Sequence, residues 1–300
     1  MITNMPRIAI AMHDYPAAVA MFRDVFAMPV ADFSDQTVAS LGAHVGMCQP
    51  AGGSNIELMA PADPSKPLSQ ALRKFLDARG EGFYALMLEA PDPNAEADAL
   101  LARGVAVLPL MAGAGGRDIH PRSTSGVLVR VYPNDSVSPG PAYENSAPGL
   151  SGIMRVIVAT ADASLAAIAY QDGLGLQVGP VTTDDERGVR TATVRPPQGG
   201  VIELVSAVDT RQPFAAAIER DVKERSGGIH ALVLCSDDPG RAAAVLAERG
   251  VTTSTSPAGA TVFGARLLFE QAVARTAERV PRSHPEVEVA ALQDPVERER

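Results

Sequence analysis

The sequence predicts an α+β protein made of two tandem halves, each assembled from two modules that begin strand, helix, strand. Three observations predict it. Residues 82–106 (GFYALMLEAPDPNAEADALLARGVA) lie over residues 228–252 (GIHALVLCSDDPGRAAAVLAERGVT), sharing G-x-x-A-L-x-L, then D-P, then an alanine-rich stretch ending in R-G-V. The same offset carries Asn55-Ile56-Glu57-Leu58-Met59 onto Val201-Ile202-Glu203-Leu204-Val205. An offset two residues longer carries Arg7-Ile8-Ala9-Ile10-Ala11 onto Arg155-Val156-Ile157-Val158-Ala159. Order and spacing kept across three separated segments mark a duplication, with halves at 1–138 and 150–272.

Each element follows in order. Arg7–Ala11 reads as a strand. After His13-Asp14, the segment AAVAMFRDVFAMPV spaces its apolar residues as a helix does. NIELMA reads as a strand, and YALMLEA as another. Asp92-Pro93 introduces the helix AEADALLARG, which leads to a strand over VAVLPL, and GVLVRVY closes the half. The second half repeats the plan. Gly104 and Gly250 follow alanine-rich helices ending in Arg and are expected as their C-caps. The stretch PGPAYENSAP is rich in Pro, Gly, Ser and Asn and places a linker at 139–149. Residues 273–300 form a charged tail ending in DPVERER.

Composition narrows the function classes. Thirty-five acidic against 26 basic residues give a net charge of −9, which opposes a general nucleic-acid or anionic-membrane binder while allowing a local basic pocket. Trp is absent and aromatics make up 4%, too few for base-stacking platforms. No apolar run reaches the roughly 18 residues of a membrane helix. The opening MITNMPRIAIAMHD lacks the order of a signal peptide. Cys48 and Cys235 lie far apart and outside any CxxC spacing, which excludes a disulfide scaffold and a cysteine zinc cluster. A cytoplasmic protein is expected, as a monomer or homodimer.

Three segments carry a resemblance: IAIAMHDYPAAVAMFRDVFAMPV, then SNIELMAPADPSKPLSQALRKFLDARGEGFYALMLEA, then GAGGRDIHPRSTSGVLVRVYP. In these the chain resembles the vicinal oxygen chelate superfamily, the glyoxalase/bleomycin resistance/dioxygenase group, with the N-terminal half most like methylmalonyl-CoA epimerase. The resemblance implies tandem βαβββ modules forming two curved-sheet domains. It also implies a cupped site in each, where relatives usually hold a divalent metal with His, Glu or Gln from four strands. Carried onto this sequence, those four positions fall on Arg7, Glu57, Ala85 and Arg130, and in the second half on Arg155, Glu203, Ala231 and Glu270. Guanidiniums repel a cation and a lone Glu cannot hold one, so no metal cofactor is expected. A divalent cation in the second domain would need a bulge to re-aim His230, which stands one residue off the metal column.

What remains points to an anionic small molecule as partner. Arg7, Arg130 and Arg155 read either as structural partners of Glu57 and Glu203 or as a clamp for carboxylate or phosphate. Glu57, Glu203 and Glu270 are the candidate proton-transfer groups. Tyr84 and His230 occupy equivalent repeat positions and read as hydrogen-bond or acid/base groups, or as packing. His120 and Ser123, in H-P-R-S-T, line the ligand entrance in the resemblance, or else hold a turn. The segment between GAGG and H-P is shorter than the epimerase pattern, which leaves CoA recognition open. The leading expectation is a metal-independent isomerase, epimerase or lyase acting on a small anionic carbonyl compound or acyl thioester. The alternatives are a non-catalytic small-molecule binding or sequestering protein of the bleomycin-resistance type and, more weakly, a metal-dependent dioxygenase or epimerase using the second cup.

Overall fold

A computed structural model describes residues 1–35, 41–136 and 148–271. The first half runs β1 (Asn4–Ala11), α1 (Tyr15–Ala20), β2 (Val30–Asp32), β3 (Ala43–Cys48), β4 (Asn55–Pro61) and α2 (Pro67–Arg79). It continues with β5 (Gly82–Ala90), α3 (Pro93–Ala102), β6 (Arg117–Ile119) and β7 (Val129–Pro133). The second half runs β8 (Leu150–Ala159), α4 (Ala163–Ile168), β9 (Gln177–Val178), β10 (Thr182–Asp184), β11 (Val189–Arg195), β12 (Val201–Ala207) and α5 (Pro213–Arg225). It ends with β13 (Gly228–Ser236), α6 (Pro239–Glu248), β14 (Thr253–Thr255), β15 (Ala258–Val262) and β16 (Ala265–Glu270). The expected linker at 139–149 lies mostly, and the tail at 273–300 wholly, outside the described residues.

Each half is one mixed sheet, ordered β2-β3-β4-β1-β5-β7-β6 and β10-β11-β12-β8-β13-β16-β15-β14, with β9 added beside β11. The two modules of a half meet at an antiparallel pair, β1 with β5 and β8 with β13. The outer neighbours of that pair run parallel to it: β4 to β1, β7 to β5, β12 to β8 and β16 to β13. Register shifts interrupt both central pairs at matching places, between Ala9 and Ile10 opposite β5 and between Ile229 and Ala231 on β13. Tyr84 and His230 are the residues skipped there.

The D-P signature has a local cause. Asp92 and Asp238 accept backbone amides of the first helical turn, Asn94 and Ala95 in one case and Arg241 in the other. The following proline occupies a position whose N–H would be unsatisfied in any helix. Asp14 and Asp162 cap α1 and α4 in the same way. Gly104 and Gly250, at φ +80° and +85°, leave α3 and α6 through the left-handed region. One element departs from expectation. VAVLPL is not a strand of the sheet: it touches β6 through a single bridge, Val107 with Ile119. Pro109 lacks the N–H that a longer ladder needs.

Both faces of the central strands are buried. One face, with Ile8, Ile10, Phe22, Leu100, Val156, Tyr170 and Leu246, belongs to an apolar core shared by the two halves and by α1, α3, α4 and α6. The opposite face of each half is a separate, smaller core covered by α2 or α5. Ala9, Ala11, Ala43 and Ala85 pave it in the first half, and small side chains there let α2 seat Leu68, Leu72 and Leu76 on the sheet. Among the described residues no helix is long and apolar enough to cross a membrane, which says nothing of β-barrels. Cys48 and Cys235 are both free thiols.

Backbone contacts stitch the halves together. Ser54 is buried; its hydroxyl donates to the Met5 carbonyl at 2.5 Å and accepts the Gly200 amide at 3.0 Å. Beside it Ser54 pairs with Ile153, and Met5 with Gly199. Gly126 sits at φ +85° against Gly227, where a Cβ would come within 2.7 Å of backbone. Ser54→Ala leaves two buried backbone groups without that partner, and is expected to lower unfolding free energy by about 1–3 kcal/mol. Chemical denaturation reads this, and an unchanged midpoint would show that the strap is dispensable.

Candidate functional site

The four central strands of the first half bring Arg7, Glu57, Ala85 and Arg130 onto the face covered by α2. Arg7 Nε donates to Glu57 Oε2 at 3.0 Å, and a second Arg7 nitrogen reaches Ser136 Oγ at 2.7 Å. Ser136 in turn donates to Glu89 Oε1 from its hydroxyl at 2.6 Å and its amide at 2.8 Å. The Tyr132 ring lies under both guanidiniums, its centroid 4.5 Å from the Arg7 carbon and 5.9 Å from that of Arg130.

Arg130 is where expectation fails. A clamp requires spare positive charge, and Asp118 removes it. Asp118 stands directly opposite Arg130 across the antiparallel β6–β7 pair. Its carboxylate takes the guanidinium in a bidentate fork: Nε to Oδ1, and NH2 to Oδ2 at 2.6 Å. Arg130 is only 3% exposed. Burial by itself depresses its proton affinity, but Asp118 and Tyr132 together, by hydrogen bond and charge, more than offset this and leave it raised. Alternation in R-D-I followed by a turn and V-L-V-R is the sequence signal that would have found Asp118.

In the second half Arg155 sits between two carboxylates, 3.4 Å from Glu203 and in direct contact with Glu270. Arg187 also binds Glu203, at 2.6 Å, together with Asp184 at 2.6 Å. Thr191 donates to Glu203 at 3.1 Å. This cup opens to solvent: Arg155 is 26% exposed at its side chain and Glu270 43%. Arg187 comes from the β10–β11 hairpin, outside the repeat-matched segments, and sequence reading missed it.

His230 does not turn to the opposite face, as simple alternation predicted. The bulge swings it toward α5, as it swings Tyr84 toward α2. Tyr84 packs edge-on against Phe75, and burial pushes its phenol up to about 12. His230 meets Asp221 of α5 at 2.5 Å through Nδ1, and Arg266 of β16 at 2.5 Å through Nε2. An arginine only donates, so Nε2 is the acceptor and Nδ1 carries the proton. Burial, with Arg266 and Arg225 adding to it against Asp221, lowers the His230 pKa.

His120 and Ser123 serve a turn. His120 Nδ1 accepts the Arg122 amide at 3.0 Å, and Ser123 Oγ accepts that of Ala106 at 3.0 Å. Neither is brought to the cup. A divalent metal fits neither cup: at the four positions that the resemblance assigns to one, guanidiniums stand against the carboxylates and alanine supplies no donor. Both His230 ring nitrogens are already engaged. Among the described residues no group of three or more His, Cys, Asp or Glu could hold a metal ion.

A third feature lies where the halves meet. A cleft of about 180 Å³ is walled by Phe75, Phe83, Tyr84, Leu128 and Ile229, with Arg79, Glu81 and Arg225 at its polar side. Arg79 and Arg225 end α2 and α5 and are repeat equivalents, within ARGEG and ERSGG. They lie just before the repeat segments that begin at Gly82 and Gly228.

Arg130→Met strands Asp118 in the core and is expected to cost about 3–5 kcal/mol of stability, most of it regained in the Arg130→Met/Asp118→Leu double variant. Equal losses in single and double variants would show that the pair is not coupled. His230 is neutral when folded, with a pKa below the unfolded value near 6.5, so the unfolded chain gains its proton first as pH falls. Stability is therefore expected to drop below about pH 6.5. His230→Gln should flatten that part of the profile, and the difference between the two denaturation curves is the readout.

Comparison with known proteins bears on the fold. A family model described as the Glyoxalase/Bleomycin resistance protein/Dioxygenase superfamily matches residues 7–120. No curated protein matches the chain. A mutant of 4-hydroxymandelate synthase from Streptomyces coelicolor superposes with a TM-score of 0.58 at 14% identity, over 84% of this chain and 76% of its own. Methylmalonyl-CoA epimerase of the same organism gives 0.38 at 24% identity, over 45% of this chain and 100% of its own. The Mycobacterium tuberculosis epimerase gives 0.35 at 26% identity, over 47% and 90%. Residues 7–120 thus match the model of the Glyoxalase/Bleomycin resistance protein/Dioxygenase superfamily, and the described chain shares the fold of the synthase over most of its length.

Proposed function

We propose that this chain captures a small organic anion, without a bound metal and without turning it over. One observation carries the reading: each carboxylate in or beside a cup is paired with guanidinium. Glu57 is held by Arg7, Asp118 by Arg130, Glu203 by Arg155 and Arg187, and Glu270 by Arg155. A general base needs a lone pair free to reach the substrate proton. In the first cup the ion pairs lie beneath α2 among packed apolar side chains, so water and substrate are kept from them. What the chain retains is the superfamily's concave scaffold with rigid, internally neutralised strands, which suits binding more than proton transfer.

A specific observation favours a second reading in the other cup. Glu270 is the one carboxylate at a cup position that is both paired to a single arginine and well exposed to solvent. There it would take a proton from a bound carbonyl compound, while Arg155 and Arg187 hold the developing negative charge.

The two readings separate by deuterium exchange. Short carboxylic acids and acyl thioesters incubated with the protein in D₂O should show bound-state NMR line broadening while keeping their α-protons. Protein-dependent loss of an α-proton signal that disappears in Glu270→Gln would replace capture by catalysis.

A further inference from the structure

The cleft between the halves combines three features that the cups do not. The first is charge. Arg79 and Arg225 flank the opening, and among the described residues neither has an ion-pair partner. Arg79 leans on the last carbonyl of α5, donating to the Arg225 oxygen at 3.2 Å. That contact fixes its place without neutralising it. Glu81, the carboxylate lining the cleft, accepts the His13 amide at 2.9 Å. A second cavity touches the same rim, shared by Arg79, Glu224, Arg225 and Ser226.

The second feature is a donor in the wall. Tyr84 is only 8% exposed and lines the cleft, and its hydroxyl makes no hydrogen bond with any described residue while not being fully enclosed. The third is an apolar wall drawn from both halves, Phe75, Phe83 and Leu128 on one side and Ile229 on the other. The close backbone approach of Gly126 to Gly227 holds those halves in contact at the floor.

From this combination we infer that the cleft is where the captured ligand sits, and that the ligand is a small amphipathic anion: a carboxylate or phosphate ester carrying an aromatic or short acyl body. The head group lies between the Arg79 and Arg225 guanidiniums, which bind such groups in a planar fork. The body lies along the aromatic and aliphatic wall, and the Tyr84 hydroxyl donates to a ligand oxygen. The inference rests on the capture reading above and adds to it a site and a chemical class.

Calorimetric titration of the full chain with benzoate and with phenyl phosphate tests it, using benzamide as the neutral analogue and inorganic phosphate as the head group without a body. One-to-one binding of benzoate or phenyl phosphate, with benzamide and inorganic phosphate far weaker, is expected. Arg79→Ala and Arg225→Ala should each weaken it roughly tenfold, the size of one charge-assisted hydrogen bond. Tyr84→Phe, which keeps the ring packing, should weaken it several-fold, and Arg211→Ala, at an exposed residue paired with Asp209, should change nothing. Inorganic phosphate binding as tightly as phenyl phosphate would mean an adventitious ion only, and would overturn the assignment. So would unchanged affinity in the Arg79→Ala/Arg225→Ala variant. If Arg155→Ala then abolishes binding, the ligand belongs to the second cup and capture stands while this site falls. If neither probe binds the wild-type chain, this site falls too, and the deuterium-exchange experiment decides the capture reading by itself.

Discussion

An arginine on the first strand of each half reaches the glutamate of the neighbouring parallel strand, Arg7 to Glu57 and Arg155 to Glu203. Much of the site architecture depends on that contact. A charge buried on a sheet face is costly unless a partner of opposite sign satisfies it. With a guanidinium built into the strand, the glutamate is compensated by the protein itself and needs no cation. Apolar packing can then close over the pair, as α2 does in the first half, where alanines pave the sheet and leucines of the helix fill the space above.

The two halves have spent the same inheritance differently. In the first, Asp118 completes a neutral, closed network around Tyr132, and the face serves as core. In the second, Arg155 is shared by two carboxylates and Arg187 arrives from a hairpin, so the cluster stays open at Glu270. The bulges on β5 and β13 add a further divergence at one repeat position. Tyr84 in the first half packs on Phe75 and lines the cleft at the junction, whereas His230 in the second is tied between Asp221 and Arg266. A tandem duplication thereby yields one structural cup, one exposed ionic cluster and a cleft that neither half contains alone.

What the sequence made legible was local. The repeat, the Asp-Pro helix starts, the glycines after R-G and the strand alternation around Arg7 and Glu57 each depend on a few neighbouring residues, and the tandem α+β fold follows from them. The missing parts depend on which strands become neighbours. Asp118 neutralises Arg130 only because β6 folds back on β7, and Arg187 meets Glu203 only because the β10–β11 hairpin lies beside β12. Alternation places His230 on the face away from the cup, and a one-residue bulge reverses that. Arg79 and Arg225 look like ordinary helix-ending cations until the two halves are packed together.

The central proposal is that guanidinium, and not a metal, compensates the carboxylates of both cups. Titrating Co²⁺ and Zn²⁺ into the full chain, with elemental analysis of the protein as purified, tests it most directly. The account predicts no tight site for either ion and substoichiometric metal in the purified protein. A one-to-one divalent ion bound tightly, and lost in Glu203→Gln or His230→Gln, would contradict it.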